Sequence, residues 1–200
     1  MPPPQDTFAS LYTHLTTHHA YPVLPSPSPN PHEPPLSHAI SSLALHPTLE
    51  ALLHILNADL SSAHFLVRHM EAKPAVEGMF VHGLLHRVEG DYRNAEAWYG
   101  DVRESEMFRA VWPEEEEEGG LEGAVAFVRR VEALRKEGKG DLGRLERESG
   151  REVDAMKEFL VRKFGTGRVE DATGVWVGKS EEGRKQHAGQ VVGGEGWRQF

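Results

Sequence analysis

The sequence predicts an all-α protein. Between residues 36 and 164 the apolar residues recur at the three- and four-residue spacing of a helix face, and turn signals separate the segments. Eleven of the thirteen prolines precede residue 48. We therefore expect a helical domain at 36–164, preceded by a disordered Pro-rich arm at 1–35 and followed by a Gly-rich tail at 165–200 that is disordered or docks through its aromatic residues.

The arm combines one helical signal with a proline-rich stretch. Prolines between residues 21 and 35 fix φ and remove backbone donors, which favours an extended linker. A short helix is predicted before it, at 7–19, because four apolar residues share one helical face: Phe8, Leu11, Tyr12 and Leu15.

Five helices are predicted in the first part of the domain, and each ends at a turn or a proline. The breaks are His46-Pro47, the Asn57-Ala58-Asp59 turn, Lys73-Pro74 and Gly90-Asp91. The expected ranges are 36–45, 48–56, 60–70, 75–88 and 92–102.

Two longer charged helices are predicted after the acidic run from Glu114 to Glu118. Their ranges are 121–136 and 142–164, and Gly138-Lys139-Gly140 separates them. Each has an apolar stripe on one side, so we expect a C-terminal helix pair that packs on the rest of the domain.

An internal repeat connects the second and third helices of the domain with the fourth and fifth. A shift of 32 residues aligns TLEALLHILNADLSSAHFLV with FVHGLLHRVEGDYRNAEAWY. Each copy reads as a helix, a turn that contains Asp and a second helix. The aligned pairs include Ala51 with Gly83, His54 with His86, Asp59 with Asp91, Ala63 with Ala95 and Val67 with Tyr99.

The second copy resembles a tetratricopeptide-type hairpin. The residues that carry the resemblance are Gly83, Gly90, Asp91, Tyr92, Ala95 and Tyr99. Met79 and His82 depart from the pattern, and Met107 replaces its closing proline. The resemblance implies antiparallel helical hairpins, because small residues let two helices touch. Their interface is expected to bury Leu52, Leu53, Leu56, Leu66, Leu84, Leu85, Ala95 and Trp98.

The longer string from His86 to Tyr99, of the form HRxEGDYxNAxxWY, resembles an uncharacterised group of small helical proteins from fungi and bacteria. This resemblance implies a helical fold and adds no activity.

Composition excludes several functional classes. The net charge of −9 argues against nucleic acid and anionic membrane surfaces as partners, because both require a basic face. The absence of cysteine excludes disulfides, thiolate metal sites and cysteine nucleophiles. No secretory signal and no apolar stretch of transmembrane length occurs. We expect a cytoplasmic protein, with the nucleus as the alternative.

Histidines form the strongest chemical signal. His82 and His86 are one helical turn apart on the same face, and His64 follows the small, inward-facing Ala63 of an earlier helix. Together with Glu89 they are candidate catalytic residues, and His64, His82 and His86 are candidate ligands of a divalent transition metal. The alternative is that these are packed histidines bonded to backbone or carboxylate partners.

Arg87, Asp91, Asn94 and Trp98 are the candidate binding residues. Arg87 could recognise an anionic small molecule, or line a peptide groove with Arg93 and Trp98. In the alternative interpretation, Asp91 caps a helix, Arg87 pairs with a carboxylate and Trp98 lies in the core.

Other conspicuous residues are expected to have plain roles. Metal binding by His14, His18 and His19 would be incidental to the arm. The expected core residues include Phe65, Phe80, Phe108 and Trp112.

Two functional hypotheses follow. The first is a helical interaction module for a protein or peptide partner. The second is a small metal-dependent or histidine-based acid–base enzyme with a His64/His82/His86 site. The sequence does not decide between them, so it does not establish whether the protein is an enzyme.

Overall fold

The computed structural model describes residues 7–19 and 30–177, and these residues contain helices and no strand. The all-α prediction is therefore confirmed. In chain order the helices are α1 (Phe8–His18), α2 (Pro34–Ser42), α3 (Pro47–Leu56), α4 (Leu60–Val67), α5 (Val76–Glu89), α6 (Tyr92–Val102), α7 (Glu106–Val111), α8 (Gly120–Glu137) and α9 (Leu142–Phe164), followed by a short 3-10 turn (Thr173–Val175).

The helix pairs α3–α4 and α5–α6 have equivalent connections. In each, an aspartate precedes the second helix and its carboxylate accepts a hydrogen bond from a backbone N–H in the first turn, Ser62 for Asp59 and Asn94 for Asp91. The residue before each aspartate has a positive φ, 55° at Ala58 and 89° at Gly90. Asp91 thus has the capping role that the sequence suggested.

The core lies between these pairs and α7, α8 and α9. Six of the eight residues expected at the hairpin interface are buried, while Leu66 and Trp98 are only partly buried. Phe80, Phe108 and Trp112 are core residues as predicted. The prediction for Phe65 is wrong: its side chain is 59% exposed, because α4 turns the face that carries Ala63 and Val67 inward.

The N-terminal helix packs onto this core. Four apolar residues of α1 are buried, with Leu15 fully enclosed, and the Tyr12 hydroxyl donates to Asp154 Oδ1 in α9 at 2.5 Å. Pro34 begins α2, since a proline in the first helical position needs no intrahelical donor. Helix α1 therefore packs on the same core as the later helices.

Helix α7 has no counterpart among the predicted helices. The Ser105 side chain caps this short helix by accepting a hydrogen bond from the Phe108 N–H, and its apolar residues Met107, Phe108 and Val111 are buried. After α9 the chain returns to the domain, where the Val177 N–H donates to the His69 carbonyl at 2.8 Å. Residues 1–6, 20–29 and 178–200 of the predicted flanks lie outside the described residues.

Within the two described ranges, no helix combines the length and the apolarity needed to cross a bilayer.

Candidate functional site

The three histidines singled out in the sequence come together where α4 meets α5. The ring centroids of His82 and His86 are 4.7 Å apart, and the rings are stacked one helical turn from each other. The His64 ring meets both edge-on, at 5.6 Å from His82 and 5.5 Å from His86. Ala63 is fully buried beside His64, and its small side chain lets α4 lie close to its neighbours.

Glu89, the last residue of α5, connects two of these rings. Its Oε1 lies 2.6 Å from His64 Nε2, and its Oε2 lies 3.3 Å from His86 Nδ1. A neutral imidazole carries one N–H donor and one acceptor nitrogen. Donation from His64 Nε2 to the carboxylate therefore makes Nδ1 the basic nitrogen of that ring.

Two residues flank the three histidines: Trp98, which lies on α6, and Asp91, which caps the start of that helix. The Trp98 ring stacks on His82 at a centroid distance of 4.7 Å and an angle of 26°. Asp91 Oδ2 lies 3.9 Å from His86 Nδ1, and the Asn94 side-chain amide donates to the same Asp91 oxygen at 2.8 Å. Asp91 and Asn94 thus hold each other at the start of α6 and lie beside His86.

Burial increases from one side of the cluster to the other. The side chain of Asp91 is 27% exposed, those of His86 and Glu89 are 12% exposed, and His82 as a residue is only 3% exposed. Burial, reinforced by the neighbouring His86 and His64, holds the pKa of His82 well below its ordinary value. The cluster is therefore accessible to solvent on the side of Asp91 and Glu89, and its buried end is the neutral imidazole of His82.

The Nδ1 atom of His82 is buried and has no hydrogen-bond partner among the described residues. A buried polar atom without a partner costs free energy, so the packing around His82 must maintain its position.

Arg87 points to the opposite side of α5, into the core. Its guanidinium is fully buried, forms an ion pair with Glu152 of α9, and donates to Ser149 Oγ at 3.1 Å. Pairing with a carboxylate was one of the two interpretations of Arg87. The other is corrected by this geometry, because a fully buried guanidinium cannot line a peptide groove or meet a ligand from solution.

Glu152 is the residue of this network that sequence reasoning missed. Its Oε1 accepts hydrogen bonds from the Tyr99 hydroxyl at 2.7 Å and the Trp112 indole N–H at 3.2 Å. Burial beside Glu152 raises the pKa of Tyr99, and the pKa of Arg87 is raised by Glu152 against the opposing effect of its own burial. The signal in the sequence was the helical spacing of Leu145 and Met156, which places Ser149 and Glu152 on the same buried face.

The metal hypothesis can be compared with the positions of the ligand atoms. Among the described residues, the group of three that offers ligand atoms all within 4.8 Å of one another is His14, His19 and Glu33, between α1 and the start of α2. The rings of His64, His82 and His86 would have to turn before they could share one ion.

Comparisons with known proteins give no information on this site. The chain matches no family model, and comparison with curated proteins and with solved structures likewise finds no match.

Proposed function

We propose that this protein is a small histidine-based acid–base enzyme whose site consists of His64, His82, His86 and Glu89, named here the histidine–carboxylate site. The observation that carries the proposal is the position of Glu89, whose two oxygens address two different imidazoles. A carboxylate that orients an imidazole fixes its tautomer and stabilises the imidazolium that forms during proton transfer.

Each residue has a distinct task in this proposal. Glu89 holds His64 with Nε2 as donor, so that Nδ1 serves as its basic nitrogen. His86 lies nearest the exposed side and is the group that meets a small polar substrate. His82, kept neutral by burial, supports the His86 ring from behind, and Trp98 covers His82.

A metal-dependent version uses the same residues with a divalent transition metal. The acid–base version is favoured because it requires no movement of the rings, whereas a shared ion does. Elemental analysis of the untagged protein separates the two. A metal content that falls when His82→Ala is introduced would support the metal version, and a content equal to the buffer blank would remove it.

The acid–base proposal is tested by incubating the protein with a small-molecule cell extract and following the disappearance of masses. Wild type and His38→Asn, which replaces an exposed histidine of α2, are expected to consume the same compound. His86→Asn and Glu89→Gln are expected to consume it at least about 100-fold more slowly, which is the usual contribution of a positioned acid or base. Equal turnover by wild type and a folded His86→Asn variant would refute the proposal.

A second proposal is an interaction module of tetratricopeptide-like helical hairpins. The observation that favours it is the exposed Phe65, which meets the rings of His69 and Trp176 at 5.1 and 6.2 Å. A cavity of about 440 Å³ lies behind Trp176, with Met70 and Phe164 in its lining. An extended peptide with a large apolar anchor fits this chemistry. The proposed contact surface is therefore centred on Phe65 and not on the Arg87 groove that the sequence suggests.

Peptide display against the purified chain tests the module. Selected peptides are expected to share one large apolar residue and to bind the Phe65→Ser variant at least about tenfold more weakly. Absence of a shared sequence, or equal binding to Phe65→Ser, would remove this role. Arg93→Ala serves as the control, because Arg93 is exposed on a different helix.

A further inference from the structure

A second cluster of histidines lies between α1 and the start of α2, apart from the histidine–carboxylate site. His14 Nε2 and His19 Nε2 each lie 2.7 Å from the same oxygen, Oε1 of Glu33. Two imidazole nitrogens and one carboxylate oxygen thus converge on one point. Such a His₂Glu set is a ligand combination that zinc accepts, with a fourth position left for water.

Two more histidines enclose this point without directing a nitrogen at it. His18 stacks on His14 at a centroid distance of 4.4 Å, and its Nδ1 donates a hydrogen bond to the His14 carbonyl at 3.0 Å. His32 stacks on His19 at 4.7 Å with nearly parallel rings. The stacked rings limit the rotation of His14 and His19, so the ligand atoms stay close together.

The core fixes both sides of the cluster. On one side, Leu15 of α1 is fully buried. On the other side, the Glu33 N–H donates to Asn57 Oδ1 and the Asn57 side-chain amide donates to the Glu33 carbonyl, both at 3.0 Å. Asn57 is itself fully buried at the end of α3. The ligands are therefore preorganised by packing that does not depend on an ion.

The spacing and the exposure suit an ion that enters from solution. The three ligand atoms lie within 4.8 Å of one another, and ligands in tetrahedral positions at zinc stand about 3.3 Å apart. A shift of roughly 1 Å, with the carboxylate withdrawing, closes that difference. The side chains of His14 and Glu33 are 38% and 36% exposed, which leaves an entry path and room for a water ligand.

We propose that His14, His19 and Glu33 bind one divalent transition metal ion of the zinc type. Without the ion, the Nε2–H of each imidazole donates to Glu33. On binding, the proton of each ring lies on Nδ1, Nε2 is offered to the ion, and Glu33 supplies the negative charge. Because residues 20–29 connect the two halves of the site, the bound ion joins α1 directly to the start of α2. Metal binding by these histidines is then a stabilising property of the fold and not an incidental one.

Titration of the untagged, chelator-treated full chain with Zn²⁺ and Co²⁺ tests this site. Calorimetry is expected to give one equivalent of Zn²⁺, and Co²⁺ is expected to develop the visible absorption of a low-coordinate site. His14→Ala and Glu33→Gln should weaken Zn²⁺ binding at least about tenfold, because loss of even an outer-shell partner of a metal ligand costs about that much affinity. His38→Ala, an exposed histidine of α2 outside the cluster, should bind like wild type.

A thermal melt supplies a readout that is independent of binding isotherms. Excess Zn²⁺ should raise the melting temperature of wild type and His38→Ala and leave that of His14→Ala unchanged, because a ligand stabilises only the state that binds it. His82→Ala separates this site from the histidine–carboxylate site. The proposal is overturned if His14→Ala binds Zn²⁺ like wild type, or if His82→Ala is the variant that loses the ion.

Discussion

In α3–α4 a histidine is enclosed by the core, whereas in α5–α6 the equivalent histidine is one of three beside a carboxylate. The local frame is the same in both helix pairs. The N–H of Asp59 donates to the His54 carbonyl at 2.8 Å, and the N–H of Asp91 donates to the His86 carbonyl at the same distance. Each aspartate also approaches its histidine Nδ1, at 3.2 and 3.9 Å respectively.

The neighbours of the histidine differ between the pairs. His54 is 1% exposed, with Glu50 one helical turn earlier at 3.8 Å. In the second pair His82 replaces Glu50 and Glu89 replaces Asn57. Asn57 uses its amide to anchor the start of α2, while Glu89 directs its carboxylate to two imidazoles. The same backbone thus supports a structural histidine in one copy and a candidate reactive group in the other.

The largest expected difference concerns the position where the first pair buries Ile55 and the second buries Arg87. Arg87→Met leaves the Glu152 carboxylate buried without its ion-pair partner, which is expected to cost about 3–5 kcal/mol of unfolding free energy. Ile55→Val should cost only about 0.5–1.5 kcal/mol. Urea unfolding followed by circular dichroism measures both.

The double variant Arg87→Met/Glu152→Gln tests the reason for that loss. The glutamine oxygen can still accept from Tyr99 and Trp112, and no buried charge remains. We expect it to be more stable than Arg87→Met alone. A double variant that is no more stable than Arg87→Met would show that the loss does not come from the abandoned charge of Glu152.

The next effect concerns the contact between the two helices of the second pair. A Cβ on Gly83 would lie 2.7 Å from the Tyr99 ring and 3.1 Å from Trp98 Cβ, whereas the first pair has Ala51 and Val67 at the positions of Gly83 and Tyr99. Gly83→Ala is expected to destabilise by about 1–3 kcal/mol, because the steric clash outweighs the helix propensity of alanine.

Gly100→Ala is the matched control for Gly83→Ala, since a Cβ at Gly100 on α6 would meet nothing within 4 Å. It should stabilise by about 0.5–1 kcal/mol, as helix propensity predicts. If Gly83→Ala raises the melting temperature as Gly100→Ala is expected to, close helix contact at Gly83 is not what requires glycine.

A smaller effect is the dependence of stability on pH. Burial lowers the pKa of His82 well below 6.5, and burial together with Lys163 lowers the pKa of His46 to about 4. Below pH 6.5 the unfolded chain therefore binds more protons than the folded chain. The contribution of these two histidines to the unfolding free energy is fully present above that pH and is lost as the pH falls toward 4. The slope is at most about 1.4 kcal/mol per pH unit for each histidine.

Unfolding free energies measured at several pH values between 7 and 4.5 check this prediction. His82→Gln should flatten the profile, because it removes the buried imidazole whose pKa is lowered, while His38→Asn should leave it unchanged. An identical slope in wild type and His82→Gln would contradict a neutral, buried His82.

The smallest effect is at the turns. Ala58 has a φ of 55° where the second pair has Gly90 at 89°. A left-handed conformation costs an L-residue about 1–2 kcal/mol. Glycine avoids this cost but loses about 0.5–1 kcal/mol more backbone entropy on folding, so its net advantage is small. Ala58→Gly is therefore expected to raise, and Gly90→Ala to lower, the melting temperature slightly. A loss of stability in Ala58→Gly would show that Ala58 packing matters more than its backbone conformation.

Local signals in the sequence predicted most of the elements and part of the site. Capping residues, prolines and helical spacing located the helices of the described residues, α1 included, except α7, whose six residues are too few to show a period. The spacing of His82 and His86 placed them on one face, and Ala63 indicated that the neighbouring His64 lies near the interior.

The sequence alone thus determined the helical class, the repeat of two helix pairs and the presence of histidines at helical spacing, because each follows from the order of residues along the chain. Tertiary structure decided which side chains meet. The Arg87–Glu152 pair joins residues far apart in the chain, and Glu33 meets His14 and His19 across a proline-rich connection. Such contacts follow from how whole helices pack, which no local spacing records.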